Sequence, residues 1–309
     1  MKKKVCIIGV NYSYKILFQS LKILKNFDIL GIAGRKKRKE FKKEKFLYYT
    51  SWKNMIDELK PDLVVIGVPP KEQEKILEFL LIKNIDFLCE KPITNDLKRI
   101  NLYKNLVKKN SNKNLIDLNF LTIPAIQKFK NIIKKIEISK KDQIKIEWFL
   151  KPRSLKDKLS WKNNPKKIGG EINNFFFHLI SIIFYLFGSL DISLISKKNN
   201  FYIFLFSSHN INFEVNFFTR SKINKFKIEV NNRNNKYSLN NNSKDYHNNY
   251  FIKKNNSIVF KKNFLKDKSR IFASKDILNL FLKKNNELEK HTNFNKGLEI
   301  QKKIINLKC

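Results

Sequence analysis

Short apolar runs alternate with helical segments through the first part of the chain, and this alternation constrains the fold more than any other feature. The runs occupy residues 5–9, 29–33, 62–68, 86–89 and 115–120. Each consists mainly of apolar residues, which is typical of a strand buried on both faces of a parallel sheet. Strands that alternate with helices at this pitch predict an α/β domain with a doubly wound parallel sheet.

Capping and turn residues place helices between these strands. Helix signals cover residues 14–25, 51–59, 70–81 and 95–109, with Ser51 as a side-chain cap and Pro70 at a helix start. Right-handed crossovers then bring the carboxyl ends of the strands to one edge of the sheet, where open α/β folds bind ligands.

The pattern changes after residue 122, which predicts a second domain. Helices are expected over 126–135 and over 170–187, the latter ending at Gly188. Runs in which apolar and polar residues alternate occur at 144–150, 201–206, 211–217 and 225–230. Because such alternation indicates half-buried strands, we predict an α+β domain with a mostly antiparallel open sheet.

These patterns divide the chain into a predicted nucleotide-binding domain at 1–121 and a substrate-binding or oligomerisation domain at 122–309. Within the second domain, residues 231–256 are rich in asparagine and lysine. Such a composition indicates hairpin loops or a mobile segment, anchored by the apolar residues at 250–252.

The charge balance is strongly basic, since 64 Lys and Arg against 27 Asp and Glu give a net charge of +37. Such a charge raises nucleic acid or an anionic membrane as a partner. The lysines are spread along the chain and mixed with asparagine, however, and arginine, the preferred reader of phosphates and bases, is scarce. Nucleic-acid binding is therefore a hypothesis that the charge distribution disfavours.

Two further features bear on location. The most apolar stretch, residues 175–187, is too short to span a bilayer, so no membrane partner is expected. Cys6, Cys89 and Cys309 form an odd count at wide spacings, which predicts reduced thiols and a cytoplasmic protein. Cys6 and Cys89 lie in strand-like runs, where we expect them to be small buried residues.

A charged pair and a proline follow the run at 86–89. Glu90 and Lys91 therefore lie at the ligand-binding edge of the predicted sheet. Pro92 favours an extended backbone at Lys91, which gives the lysine a defined direction. In a chain so rich in lysine, an ordinary surface Glu-Lys pair is the competing interpretation.

The turn after the first strand is where dinucleotide-binding folds keep the pattern Gly-x-Gly-x-x-Gly. Gly9 occupies the first glycine position, Asn11 the second and Tyr14 the third. Asparagine tolerates a positive φ, so a tight turn remains possible and the helix start can face a pyrophosphate. Tyr14 at the close-packing position predicts a wider gap between helix and sheet. A plain strand-turn-helix explains this loop equally well.

The end of the second strand bears on the choice of cofactor. In dinucleotide-binding folds a carboxylate here holds the ribose of NAD, whereas arginine accommodates the 2′-phosphate of NADP. Residues 34–38 are Gly-Arg-Lys-Lys-Arg, and no acid occurs before Glu40. Position and arginine use favour NADP, with one more lysine cluster as the alternative.

A third signal lies in the second domain, where Gly169 and Gly170 precede a helix that carries Asn174 and His178. Residues four apart share a helix face. A histidine aimed at a cleft can donate and accept protons near neutral pH. A core histidine among phenylalanines is equally compatible with the pattern.

In combination these motifs resemble the Gfo/Idh/MocA oxidoreductases. The resemblance rests on the Glu-Lys-Pro turn at 90–92, the Val-Pro-Pro turn at 68–70, the glycine pair and the helix with His178, in this order along nearly the whole chain. It implies a Rossmann domain followed by an α+β domain that is often used for oligomerisation. It also implies hydride transfer between NAD(P) and a sugar, sugar nucleotide or cyclitol.

The resemblance assigns roles to individual residues. It makes Lys91 the catalytic lysine, His178 the acid/base histidine and Asn174 a third catalytic residue, which stands where most members have aspartate. The residues expected to bind the cofactor are Gly9, Asn11, Tyr14, Arg35, Lys36, Pro69, Pro70, Glu90 and Lys91. The expected cofactor is NADP, with NAD second, and no metal site is expected. The expected partners are a sugar-like substrate and further copies of the chain. Arg153, Trp161 and Lys162, just ahead of Gly169, are candidate substrate contacts, although the sequence favours their interpretation as ordinary loop residues.

Departures from the family pattern motivate a second hypothesis. Asn174 cannot take up a proton, Gln73 stands where histidine is frequent, and Glu171 replaces a frequent small residue. The glycine pattern is degenerate at Asn11 and Tyr14. A catalytically weakened relative that binds a sugar or nucleotide, or acts in regulation, is therefore the alternative function.

Overall fold

The computed structural model describes residues 2–136, 138–151, 168, 170, 172–233, 235–265, 267–284 and 286–307. Arg153, Trp161, Lys162, Gly169 and Glu171 lie outside the described residues. The described chain divides into two compact units. The first contains residues up to Asn119 together with Arg270–Lys302, and the second contains most of the residues from Phe120 to Ser269.

Six parallel strands form the sheet of the first unit. They are β1 (Lys3–Ile8), β2 (Phe27–Ala33), β3 (Leu47–Tyr49), β4 (Leu63–Ile66), β5 (Asp86–Cys89) and β6 (Asn114–Ile116). Their order across the sheet is β3-β2-β1-β4-β5-β6, and every neighbouring pair is parallel. The predicted doubly wound α/β fold is therefore confirmed, with β3 as a short additional edge strand.

Helices cover this sheet, and they begin within about two residues of the predicted starts. They are α1 (Gln19–Ile23), which continues a π-helical segment at Ser13–Phe18, α2 (Trp52–Leu59), α3 (Pro70–Ile82) and α4 (Leu97–Lys109). The Ser51 hydroxyl accepts the Asn54 backbone N–H at 3.3 Å, which confirms Ser51 as the cap of α2.

The predicted strand at 115–120 is shorter than expected. β6 ends at Ile116, and residues Asn119–Thr122 form a 3₁₀ turn. The Asp117 backbone still donates to the Cys89 carbonyl at 2.9 Å, so the chain leaves the sheet only after Asp117. The buried acid Asp117 interrupts the apolar run, and its side chain is hydrogen-bonded to residues outside the strand.

The second unit contains an eight-stranded sheet. Its described residues include two helices, α5 (Pro124–Lys134) and α6 (Phe177–Phe187), and a π-helical segment at Ile172–Phe176 precedes the second. Its strands are β7 (Gln143–Phe149), β8 (Asp191–Lys198), β9 (Phe201–Ser207), β10 (Asn212–Phe218), β11 (Lys225–Asn232), β12 (Asn235–Asn241), β13 (Phe251–Lys254) and β14 (Ser257–Lys261). The order is β14-β13-β12-β11-β7-β10-β9-β8, with β7 and β10 as the parallel pair and antiparallel neighbours elsewhere. This confirms the predicted mostly antiparallel open sheet.

One expectation for this unit is wrong. The Asn- and Lys-rich residues 231–256 are not only loops, because they contain β12 and β13 and pair with their neighbours. Apolar Leu239 and Ile252 face the core from these strands and are fully buried, which explains why so polar a segment is ordered into the sheet.

The carboxyl-terminal segment differs from the predicted second domain of 122–309, because Arg270–Lys302 groups with the first unit. Its helices are α7 (Ser269–Leu278), α8 (Glu287–Thr292) and α9 (Phe294–Asn306). Phe294 packs edge-to-face on Phe87 of β5, with ring centroids 5.0 Å apart, and Gln301 accepts the Ile93 backbone N–H at 2.9 Å. Burial of this apolar helix face against the parallel sheet is the physical reason why the carboxyl-terminal segment groups with the first unit.

Cys6 and Cys89 are buried free thiols, as expected. Burial raises the pKa of Cys6 to about 12 and that of Cys89 well above its ordinary value, so both thiols stay protonated and unreactive. Among the described residues, no helix combines the length and the apolar character that a membrane crossing requires.

Candidate active site

The turn between β1 and the first helix packs tightly against the sheet. Gly9 has φ +114°, and a Cβ there would lie 2.5 Å from the Gly67 carbonyl oxygen. The Ser13 hydroxyl donates to the carbonyls of Ile8 at 3.2 Å and Gly67 at 3.1 Å. The positive φ of the turn thus belongs to Gly9, and Ser13 closes the helix start onto the ends of β1 and β4.

Asn11 and Tyr14 contribute to the turn differently from the expectation. The Asn11 carbonyl accepts the Lys15 N–H at 3.0 Å and thereby begins the helical hydrogen bonding. Tyr14 is 9% exposed and stacks on Phe18, with Phe41 edge-on at 4.9 Å. Because its ring points into this aromatic core, Tyr14 does not prevent the close approach that Ser13 makes to the strands. The wider gap predicted from Tyr14 is therefore not seen at this point.

The cationic turn after β2 has one exposed and one anchored arginine. Arg35 is 83% exposed and pairs with Glu72 in the first turn of α3. Arg38 instead donates to the Val10 carbonyl at 3.3 Å, to the Asn11 side chain at 3.4 Å and to Glu40 at 2.7 Å. Arg38 therefore joins the two cofactor-binding turns predicted from the sequence, a role that only the fold reveals. Lys36 is exposed beside Arg35.

The Glu-Lys-Pro turn at the end of β5 is fixed by the helix that Pro69 and Pro70 begin. Gln73, which is 1% exposed, donates to the Glu90 carbonyl at 2.7 Å and to the Pro92 carbonyl at 3.3 Å. It also accepts the Glu90 backbone N–H at 3.2 Å. The Lys91–Pro92 peptide is cis. The Gln73 hydrogen bonds thus hold the backbone on both sides of Lys91. Lys91 itself is half-buried.

A buried polar cluster lies beside this turn, at the ends of β5 and β6. Asp117 is 1% exposed, and one of its carboxyl oxygens accepts hydrogen bonds from Ser274 at 3.0 Å, Asn119 at 3.2 Å and Tyr12 at 3.3 Å. Sequence reasoning missed Asp117 as a site residue. The available signal was an acid in the middle of an apolar run at the same sheet edge as Glu90.

In the second unit the predicted residues lie at the start of the α6 helix. The Asn174 amide donates to the Gly170 carbonyl at 2.9 Å, where Gly170 has φ +88°. His178 is 8% exposed, and its ring lies 4.5 Å from that of Phe120. Asn174 therefore shapes the turn that precedes the helix, and His178 packs on an aromatic ring.

A second histidine lies against the same ring. His247 is 4% exposed, and its centroid is 4.5 Å from that of Phe120. Its backbone N–H donates to Asp245, whose carboxylate also accepts the Ser269 hydroxyl at 3.1 Å. Sequence reasoning did not single out His247, which lies in the Asn- and Lys-rich segment at 231–256.

Comparison with known proteins identifies the first unit. Residues 3–117 match the family model described as "Oxidoreductase family, NAD-binding Rossmann fold", that is, Gfo/Idh/MocA. A curated relative, the glucose-6-phosphate 3-dehydrogenase of Bacillus subtilis, is 25% identical over 192 residues. That alignment covers 60% of this chain and 54% of the relative, so it spans about half of the relative's length.

Solved structures extend the similarity in fold to the whole chain. A 3-ketoreductase from Actinomadura kijaniata, in complex with NADP and TDP-benzene, has a TM-score of 0.75 at 12% identity, covering 100% of this chain and 97% of that one. A super-repressor mutant of Gal80p from Saccharomyces cerevisiae has a TM-score of 0.79 at 13% identity, covering 99% and 95%. The resemblance found in the sequence is confirmed: residues 3–117 match the Gfo/Idh/MocA model of NAD-binding oxidoreductases. The chain as a whole has the same fold as these solved structures.

Proposed function

We propose that the chain is an NADP-preferring oxidoreductase that transfers a hydride between the cofactor and a CH–OH or carbonyl carbon of a sugar, sugar nucleotide or cyclitol. The observation that carries this proposal is the Glu90-Lys91-Pro92 turn. Gln73 holds the turn at the carboxyl end of β5, the edge at which open parallel sheets bind ligands. A lysine fixed at this edge of an NAD-binding domain is suited to meet a substrate oxygen.

The chain's donors fit a dinucleotide with a 2′-phosphate. The close packing of Gly9, Ser13 and Gly67 leaves the start of the first helix near the strand ends, where its backbone N–H groups can meet a pyrophosphate. The exposed guanidinium of Arg35, with Lys36 beside it, supplies positive charge after β2. We therefore assign the pyrophosphate to the glycine turn and the 2′-phosphate to Arg35 and Lys36.

Lys91 is the group that we propose for proton handling at the substrate oxygen. Its ammonium stabilises negative charge on that oxygen during oxidation of an alcohol, and it returns a proton during reduction of a carbonyl. A bound nicotinamide supplies the hydride acceptor or donor. We assign His178 as the acid/base histidine, and Asn174 as the residue that keeps the start of its helix in place through Gly170.

The names of two similar proteins favour a sugar substrate. One is a glucose-6-phosphate 3-dehydrogenase and the other a 3-ketoreductase crystallised with a TDP derivative. Both names specify oxidation or reduction at a 3-position. We therefore propose a ring carbon of a hexose, free, phosphorylated or nucleotide-linked, as the reacting centre.

The test is calorimetric titration of the purified chain with NADPH and NADH, followed by turnover assays. The assays use sugars, sugar phosphates and sugar nucleotides, with absorbance of the reduced nicotinamide as the readout. We expect NADPH to bind more tightly than NADH and at least one sugar class to be turned over. Failure of both cofactors to bind would overturn the enzyme proposal.

The Gal80p similarity favours the second candidate, a regulatory protein that binds a nucleotide or sugar without turnover. Asn174 in place of the usual aspartate supports it, because an amide cannot exchange a proton at neutral pH. Tight NADPH binding with no turnover across the substrate panel would favour this candidate, whereas turnover that depends on Lys91 would exclude it.

We also propose that the chain is a cytoplasmic homo-oligomer. The buried thiols Cys6 and Cys89 suit a reducing compartment. On one face of the large sheet, Phe149, Phe201 and Phe218 pack on one another with centroids 5.7–6.4 Å apart, yet each remains half-buried. Such an apolar sheet face suits a second copy. Sedimentation velocity should show a species larger than a monomer, which Phe201→Glu should dissociate.

A further inference from the structure

The ends of β5 and β6 bring two carboxyl groups side by side. Cys89 pairs with Ile116 in the parallel register, so Glu90 and Asp117 are the next residues on neighbouring chains of the ladder. The Asp117 N–H still donates to the Cys89 carbonyl at 2.9 Å, which keeps the two segments about 4.8 Å apart. Residues at matching positions of adjacent parallel strands have side chains on the same face of the sheet.

The two oxygens of Asp117 have different surroundings. Oδ2 accepts from Ser274, Asn119 and Tyr12, which fills its hydrogen-bonding capacity. Oδ1 is buried, and within the described part of the chain no donor reaches it. The neighbouring Glu90 carboxyl is within hydrogen-bonding reach of Asp117, but an ionised carboxylate offers only acceptors.

Burial raises the pKa of Asp117 well above its ordinary value, and the negative charge of Glu90 raises it further. Hydrogen bonds from Ser274 and Tyr12 act in the opposite direction. Two neighbouring carboxyl groups resist ionising together, because the second ionisation must overcome the repulsion of the first.

The other ionisable groups around the pair do not remove this effect. The Cys89 thiol and the Tyr12 phenol both have pKa values raised by burial and then by the two acids, so both remain neutral. Arg270 contributes positive charge at Tyr12, and Lys91 is adjacent to Glu90 in the chain.

We propose that Asp117 keeps a proton on Oδ1 at neutral pH and donates it to the Glu90 carboxylate, which makes Asp117 a positioning residue for the Glu90-Lys91-Pro92 turn. The proton allows Oδ1 to form a hydrogen bond with Glu90, and it removes the charge repulsion between the two carboxyl groups. Gln73 already holds both backbone groups of Glu90, so the Asp117 hydrogen bond fixes the remaining freedom of that residue, its side chain.

The consequence for the turn is a single negative charge next to Lys91 instead of two. That charge is held by a neutral donor whose position is fixed through three further hydrogen bonds. The importance of this for proton transfer rests on the proposed function, since only that proposal makes Lys91 catalytic. The location of the proton does not depend on it.

The first test is the pH dependence of thermal unfolding between pH 5 and pH 9, for wild type, Asp117→Asn and the exposed control Asp57→Asn. An unfolded aspartate loses its proton near pH 4, whereas native Asp117 retains it. Unfolding therefore releases a proton above pH 4, and stability falls as the pH rises toward the native pKa. The asparagine variant keeps the donor permanently.

We expect the melting temperature of Asp117→Asn, relative to wild type, to rise by a few degrees from pH 5 to pH 9. The offset of Asp57→Asn should stay constant over the same range. A constant offset for Asp117→Asn as well would overturn the proposal. A purely structural role of the side chain produces no such pH dependence.

The second test is infrared spectroscopy of the cofactor-free chain at pH 7, which does not depend on activity. A protonated carboxylic acid has a C=O stretch separate from the bands of carboxylates and amides. We expect this band in wild type and in Asp57→Asn, and its loss in Asp117→Asn. Its absence from wild type, or its retention in Asp117→Asn, would show that Asp117 does not hold the proton.

Discussion

Charged residues follow the strands at two places in the same parallel sheet, and their surroundings are opposite. After β2, the basic residues are exposed, and the outermost arginine is 83% exposed with one surface acid as its partner. After β5 and β6, the acids are next to buried groups, and Asp117 is 1% exposed with three donors on one oxygen. The basic residues after β2 are therefore exposed to solvent, whereas the carboxyl group after β6 is buried and hydrogen-bonded.

The difference indicates which part of the site is built for binding and which for positioning. Exposed ion pairs contribute little to folding, so residues after β2 can be selected for their ligand alone. Buried polar groups are costly unless satisfied, so residues after β5 and β6 must serve the fold as well. Substitutions at the first end should change affinity without changing stability, and substitutions at the second should change both stability and turnover.

The largest effect is expected at Lys91, the lysine of the turn whose backbone Gln73 holds. Lys91→Ala should lower kcat about 10²- to 10⁴-fold, the usual contribution of a positioned acid or base, with NADPH affinity changed far less. Steady-state kinetics and calorimetry measure the two quantities. The exposed Lys39→Ala is a matched control, and unchanged turnover in Lys91→Ala would remove the lysine from the mechanism.

A smaller but clear loss of stability is expected at Gln73. Gln73→Ala removes three hydrogen bonds from the turn and leaves the Glu90 N–H without its partner. The cost in free energy of unfolding should be about 2 kcal/mol, as for a buried polar group left unsatisfied. Denaturant unfolding should show this loss, whereas Gln143→Ala at the exposed start of β7 should be neutral. Equal stability of the two variants would contradict the importance assigned to the turn.

The smallest effect is expected after β2. Arg35→Ala should weaken NADPH binding about tenfold, the loss of one charge-assisted hydrogen bond, and leave NADH binding and the melting temperature unchanged. Calorimetry with both cofactors at low and high salt provides the measurement, since the NADPH effect should shrink as salt screens the charge. Arg233→Ala, on an exposed hairpin turn, is the control. Equal losses for both cofactors would remove the proposed 2′-phosphate contact.

Periodicity and turn chemistry predicted the architecture because both depend on residues that are close together in the sequence. The continuous apolar run at 86–89 coincides with β5, and Ser51 caps α2 as its sequence context indicated. The order of apolar runs and helices was sufficient for a parallel sheet, and alternation was sufficient for the antiparallel one. The segment at 231–256 was misjudged because asparagine and lysine dominate its composition, while its few apolar residues decide its pairing.

The sequence by itself therefore determined the two fold classes, the edge on which Lys91 lies and the family whose model residues 3–117 match. Only the tertiary structure decided what surrounds that lysine. The parallel register brings Asp117 beside Glu90, α3 brings Gln73 beneath the turn, and α7 brings Ser274 from far along the chain. These partners are distant in sequence, and no local pattern encodes the packing that joins them, because it depends on which faces the assembled elements bury together.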